Sequence, residues 1–180
     1  MIPTIRFKAG LPSFSGLVYG AWRLADGVDK SALTALKKIK LCIELGITTF
    51  DHADIYGDYR CEALFGEALQ LDPGLKHQIQ IVTKCGIKRI SATCPERRIK
   101  HYDTSAAHIR QSVDNSLRLL GVERLDALLI HRPDPFMNAA ETGACLDALI
   151  QEGKIAAAGV SNFSVADVIL LQSAMHHPLV

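Results

Sequence analysis

The chain is predicted to fold as an α/β protein built on a parallel sheet, and three observations carry that prediction. Short, nearly continuous apolar runs alternate with longer stretches of helical period. The runs are rich in β-branched residues, as expected of strands covered on both faces. No linker, charge block or internal repeat interrupts the alternation.

The predicted strands are Leu17 to Gly20, Ile47 to Ala53, Ile79 to Cys85, Leu125 to His131 and Ile155 to Val160. Between the first two, Ala32, Leu33, Leu36, Ile39 and Ile43 share one helical face, and Gly46 stands where a C-terminal cap belongs. Leu64 to Leu69 forms the next helix. Ile109, Val113, Leu117 and Leu120 form another, with Asp103 and Thr104 as candidate N-caps and Gly121 closing it. Cys145 to Ile150 is followed by Gly153, and Val165 to Leu171 is preceded by Ser164 with Asp167 at capping-box spacing. Five βα units result. The long segment Ile87 to Tyr102, which carries Lys88, Arg89, Arg97, Arg98 and Lys100, is expected to be a solvated loop, with a loop that contacts an anionic substrate as the alternative.

Strand, helix and strand in succession imply right-handed crossovers. Two architectures satisfy that rule. A doubly wound open sheet fits 180 residues, whereas a complete (β/α)8 barrel typically takes about 250. Against the open sheet, the first βα turn reads Gly20-Ala21-Trp22-Arg23, with no G-x-G-x-x-G and no Walker-type run to cradle a phosphate.

Composition narrows the function classes. Hydrophobic residues at 48% and charged residues at 22% describe a globular chain, and a net charge of +1 gives no reason to expect nucleic acid or a membrane surface as partner. Five cysteines, widely spaced and without a C-x-x-C pair, read as reduced thiols. Together with the absence of an apolar leader or spanning run, they make a cytoplasmic location the expectation.

Polar residues gather at the carboxyl ends of the strands, where sites form in parallel α/β folds. Asp51 ends the second run, Lys84 the third, His131 the fourth and Ser161-Asn162 the fifth, with Tyr56 just beyond Asp51. In a barrel these ends converge, whereas in an open sheet they are strung along an edge. A nearby ammonium makes a tyrosine a better proton donor, a buried lysine needs a counter-charge, and a neutral histidine can hold a carbonyl oxygen. Asp51, Tyr56, Lys84 and His131 thus form a candidate general-acid set for protonating a developing alkoxide, the hydride coming from a cofactor. His52 and Asp54 are read as loop contacts, and His176-His177 as a helix end, with no metal site expected. No G-x-S-x-G is present to suggest a serine hydrolase.

The motifs resemble those of the aldo-keto reductase family. Thr48 to Gly57 is similar to its second-strand motif, followed by Glu62 and Gly66 as E-x-x-x-G; Ile81 to Gly86 is similar to its lysine strand, Leu128 to His131 to its histidine strand, and Gly159 to Phe163 to its serine-asparagine motif. The His131 to Pro135 run and the Tyr56 to Leu69 stretch are closest to the family's bacterial YdhF-type branch. The resemblance implies a (β/α)8 TIM barrel and reduction of a small-molecule aldehyde or ketone by NADPH, with NADH as the alternative. It assigns Tyr56 as proton donor, Lys84 and Asp51 as its tuning pair, and His131 to the carbonyl. Ser161 and Asn162 fall to the nicotinamide carboxamide, and Gly20, Ala21 and Trp22 to the cofactor and substrate wall, Ala21 standing where the family more often has threonine. Ile5 to Leu17 resembles the hairpin that closes the barrel bottom. Leu179-Val180 falls where the sixth strand is expected to begin, so the barrel is read as incomplete, with about five of eight βα units. The family's remaining cofactor contacts then lie outside the 180 residues. Weak NADPH binding by the chain alone, and self-association through barrel edges at Leu17 to Gly20 and Ile155 to Val160, are the corresponding expectations. A non-catalytic fragment that binds cofactor or protein is the alternative function.

Overall fold

The computed structural model describes residues 2–6, 10 and 12–180. Among them, strand β1 (Thr4–Arg6) pairs antiparallel with β2 (Ser13–Ser15). This is the hairpin expected within Ile5 to Leu17, of which residues 7–9 and 11 lie outside the described residues. Strand β3 (Val18–Gly20) leads to helix α1 (Ala32–Glu44), and β4 (Thr49–Asp51) to α2 (Cys61–Leu71). Strand β5 (Gln80–Cys85) is followed by a short antiparallel ribbon of β6 (Ile87–Lys88) and β7 (His101–Tyr102), then by α3 (Ala106–Leu120). Strand β8 (Ala127–Ile130), α4 (Ala139–Gln151), β9 (Ala158–Val160) and α5 (Val165–Ser173) complete the order.

Strand order decides between the two architectures. The five parallel strands lie as β3-β4-β5-β8-β9, so each pairs with the next parallel strand in the chain and the order never reverses. A doubly wound sheet needs a reversal at its switch point. The open sheet that length favoured is therefore excluded, and the sheet is an arc of a (β/α)8 barrel. Its strands are staggered as barrel strands must be: one row runs through Gly20, Asp51, Val82 and Ala127, crossing the ends of β3 and β4, the middle of β5 and the start of β8. The helices cover one side in sequence, α1 on α2, α2 on α3, α3 on α4 and α4 on α5.

The pleat sorts the side chains. Phe50, fully buried, faces the helices, with ring centroids 5.1 Å from Phe65 and 5.8 Å from Tyr19. Its neighbours Thr49 and Asp51 project the other way, into the concave face with Val82 and Leu129. The hairpin closes the amino-terminal end of that face. Phe14 packs with Ala127 and Ala157, and Ser15 Oγ accepts from the backbone N–H groups of Thr48 and Thr49 at 3.1 and 3.0 Å.

The caps agree with the sequence except at one helix. Ser164 and Asp167 form the reciprocal box at α5, and Gly121 closes α3 with φ of 66°. The N-cap of α3, however, is Ser105 rather than Asp103 or Thr104. Asp103 is instead drawn into bracing the cap, accepting from Ser105 N and Oγ at 3.1 and 2.6 Å. The segment from Ile87 to Tyr102 is likewise more ordered than a plain loop, because the ribbon closes its base. At the end of the chain, Leu179 forms a parallel bridge to Ala158, where a sixth strand was expected to begin. His176 and His177 belong to this anchor, since both backbone N–H groups and His177 Nδ1 bond the Asp147 carboxylate. Among the described residues, no helix is long and apolar enough to cross a membrane.

Helices α2 and α3 meet backbone to backbone at Gly66, where a Cβ would lie 1.9 Å from the Leu119 carbonyl oxygen. At an open helical position Gly→Ala stabilises by about 1 kcal/mol. Here Gly66→Ala should reverse that sign and destabilise by about 2 kcal/mol or more, as overpacking does. Urea denaturation checks this, and an unchanged or raised midpoint would contradict the contact.

Candidate active site

The site grows from the stagger of β4, β5 and β8, which brings their carboxyl ends around the top of the concave face. Asp51 ends β4 and Lys84 lies one residue from the end of β5. The Lys84 ammonium is buried, with Nζ 2.6 Å from both Asp51 oxygens, 2.9 Å from the His52 carbonyl and 3.3 Å from the Tyr56 hydroxyl. Ammonium has three donors and no acceptor. The Tyr56 oxygen therefore accepts from Lys84, which leaves the phenolic hydrogen free to be donated elsewhere.

Tyr56 is held by an unusual turn. Gly57, Asp58 and Tyr59, which follow it directly, all have positive φ, at 58°, 58° and 66°. Such a run is costly for non-glycine residues and persists only when its surroundings hold it. Tyr59 supplies part of that hold: its hydroxyl accepts from Arg97 Nη1 at 2.5 Å and from the Arg89 N–H at 3.2 Å, and the Arg97 guanidinium carbon lies 5.3 Å from its ring centroid.

His131 follows β8 directly, its ring edge-on to Tyr56 with centroids 5.9 Å apart. Burial first, then the charges of Lys84, Arg132 and Lys100, push its pKa down to about 4. At neutral pH the imidazole is uncharged. Its Nδ1 is sealed from solvent, with no hydrogen-bond partner among the described residues.

The second group of sequence candidates lines the flanks. Ser161 and Asn162 follow β9; Asn162 Nδ2 donates to the His131 carbonyl at 3.1 Å and contacts Ser161 Oγ at 2.8 Å, with Asn162 at φ of 63°. Gly20 ends β3 with open space where a Cβ would be. Trp22 is 59% exposed, 6.3 Å from the Tyr56 ring centroid. Ala21, by contrast, is fully buried in the core and offers no surface to a ligand. A cleft opens above Tyr56 and His131, bounded by Trp22, Ile55 and Ile87, with Arg89, Lys100 and Arg132 at its rim.

Behind the site lies a buried polar layer that the sequence reading missed. His52, expected as a loop contact, is fully buried edge-on to Phe65 at 4.5 Å, and neither ring nitrogen is bonded among the described residues. Burial and the Lys84 charge lower its pKa to about 3. Asp54, also expected in a loop, accepts from the Ser112 hydroxyl at 2.8 Å, and burial, opposed by that bond, raises its carboxyl to about 7. Glu62 accepts from Thr83 Oγ1 at 2.6 Å and from Ser116 Oγ at 3.0 Å. A signal was present: Ser112 and Ser116 are one turn apart on the buried face of α3, beside Ile109, Val113 and Leu120, where small hydroxyls imply a buried acceptor across the interface.

Comparison with known proteins places the chain in a family. The chain is 52% identical over 166 residues to a 6-dehydroglucose reductase of Agrobacterium fabrum, covering 92% of this chain and 56% of that one. It is 47% identical over 173 residues to the oxidoreductase YdhF of Escherichia coli, covering 96% and 57%. Among solved structures, the glycerol dehydrogenase AKR11B4 from Gluconobacter oxydans superposes with a TM-score of 0.82 at 31% identity, over 98% of this chain and 53% of that one. The chain thus spans little more than half the length of these relatives. The family model for aldo/keto reductases matches residues 16–179, and the chain belongs to the aldo/keto reductase family.

Proposed function

We propose that this chain carries the proton-donating machinery of a nicotinamide-dependent reduction of aldehydes or ketones to alcohols, with Tyr56 as general acid. The observation that supports it most is the Lys84 ammonium held between the Asp51 carboxylate and the Tyr56 oxygen at 2.6 and 3.3 Å. With Lys84 donating to its oxygen, Tyr56 can give its own hydrogen to a carbonyl oxygen in the cleft. As that proton leaves, the ammonium stabilises the phenolate, and Asp51 keeps the buried ammonium from becoming an unpaired charge. His131, neutral, directs a ring N–H to the same carbonyl oxygen and holds it near Tyr56.

Aldo/keto reductases use nicotinamide cofactors, and NADPH is the form proposed here, NADH being the alternative. The donor set fits a nicotinamide. The Ser161 hydroxyl and the Asn162 carbonyl oxygen supply the donor and acceptor that a carboxamide requires, and the open space at Gly20 leaves room for a flat ring beside them. When bound, the cofactor would supply the hydride. The cytoplasmic location and small-molecule partner expected from sequence remain part of this reading.

Tyr56→Phe keeps the ring and removes the proton. Measured in a barrel completed with the βα units that the relatives carry beyond the matched span, NADPH-dependent aldehyde reduction should fall by roughly 10²- to 10⁴-fold, the usual worth of general-acid transfer, while the Kd for NADPH stays unchanged. Turnover equal to the parent chain would refute the assignment.

Histidine titration gives a second check. The His131 ring should show no protonation by NMR above about pH 5, and a midpoint near the ordinary 6.5 would contradict the neutral role. The sign for stability follows. His52 and His131, at about 3 and about 4, bind fewer protons folded than unfolded. Their contribution is therefore complete above pH ~6.5 and lost as pH falls through that value toward 4. Raised Asp54 acts in the opposite direction, losing stability as pH rises from about 4 to about 7. The loss of urea midpoint attributable to the histidines falls between pH 7 and pH 5, and His131→Asn should remove its share, so that the midpoint of the variant depends less steeply on pH over that range than that of the parent.

A further inference from the structure

We infer that the carbonyl substrate of this site carries an oxyanion, a carboxylate or a phosphate ester, which the rim of the cleft recognises through Arg89, Lys100 and Arg132. The inference rests on the proposed carbonyl-reducing site and names its substrate class.

Three observations carry it. First, the three side chains are exposed and border the same cleft above Tyr56 and His131, and among the described residues no carboxylate borders it with them. Second, their positions are set by structure rather than by chain flexibility. The ribbon pairs Lys88 with His101, so the residues one step beyond that rung, on opposite strands, are Arg89 and Lys100. Arg132 follows His131 at the end of β8. Like charges facing each other across a ribbon are unfavourable, and among the described residues neither Arg89, Lys100 nor Arg132 has an acidic side chain within ion-pair distance. Lys88, one residue away, shows the contrast, with Asp103 at 2.6 Å. Third, the field of two of these cations reaches the reacting centre, since Arg132 and Lys100 both help to disfavour protonation of His131. A bound oxyanion would relieve the mutual repulsion of the three cations, and guanidinium groups suit it by pairing with carboxylate or phosphate through two parallel hydrogen bonds.

Geometry sets two of these cations apart from the proposed nicotinamide contacts. Ser161 and Asn162 follow β9 and Gly20 ends β3, whereas Arg89 and Lys100 rise from the ribbon after β5. Arg132 lies between the two groups, next to His131, whose carbonyl accepts from Asn162. Arg89 and Lys100 are thus assigned to the substrate and not to the phosphates of the cofactor, with Arg132 completing the rim.

The test uses the 180-residue chain and a readout independent of turnover. Trp22 is the single tryptophan and borders the cleft, so its fluorescence reports occupancy. Two pairs of aldehydes differ only in the anion: glyceraldehyde 3-phosphate against glyceraldehyde, and succinic semialdehyde against methyl 4-oxobutanoate. In at least one pair the anionic member should bind roughly tenfold tighter or better, as charge-assisted hydrogen bonds allow; the pair that responds tells phosphate from carboxylate. The preference should vanish in the Arg89→Ala/Lys100→Ala/Arg132→Ala variant, with NADPH affinity unchanged and the circular dichroism of the parent retained. Equal binding within both pairs, no response to any of the four, or loss of NADPH binding in the variant would overturn the inference. The Tyr56→Phe rate ratio is untouched by those outcomes, so failure here is distinguishable from failure of the carbonyl-reductase reading.

Discussion

A buried ammonium at the rim of a sheet sets the terms for everything around it. Leaving Lys84 unpaired at its depth would cost several kcal/mol, and each of its donors is directed to a different part of the chain: the Asp51 carboxylate, the His52 carbonyl and the Tyr56 oxygen. Satisfying it ties the end of β4, the turn after it and the end of β5 into one unit. Tyr56 cannot drift without leaving that charge short of a partner. The strained turn at Gly57, Asp58 and Tyr59 is the local cost, offset by the bonds that Tyr59 receives from the segment beyond β6.

The layer between sheet and helices extends the same constraint inward. Thr83 and Cys85 flank Lys84 and point the opposite way by the pleat, so the strand that presents the ammonium to the cleft also presents Thr83 to Glu62. Glu62 in turn joins α2 to Ser116 on α3, and Gly66 lets those two helices approach at backbone contact. Packing outside the barrel and geometry inside it are consequently two faces of one strand. A change at Gly66 or Glu62 would be felt at Lys84 through the position of β5, without touching the cleft.

Much of the fold and of the site was legible along the chain. Alternating apolar runs and helical periods located the strands and helices because burial on both faces and on one face leave different periodicities. The chemistry-bearing residues at strand ends were legible for a related reason: parallel strands run the same way, so all their carboxyl ends lie on one side. Ser164 and Asp167 announced a cap by spacing alone. Where the reading went astray, a competing partner lay far off in sequence. Asp103 looked like the cap of α3 but braces Ser105 and pairs with Lys88 across the ribbon. His52 and Asp54 do lie in the loop after β4, but the reading missed that this loop is buried there. Their burial comes from α2 and α3 closing over them, which no local pattern records.

The amino-acid sequence by itself determined the α/β class, the βα alternation and the family, since all three rest on local periodicity and contiguous motifs. The barrel was already implied by the motif resemblance, and the tertiary structure bears it out through strand order, the one feature that local elements shared by a barrel and a doubly wound sheet leave open. Only the tertiary structure decided which way Lys84 donates, that His131 is neutral, that Ala21 is sealed in the core, and that Arg89, Lys100 and Arg132 share one rim. Those properties belong to distances between residues remote in the chain, and a distance of that kind exists only once the strands have been laid side by side.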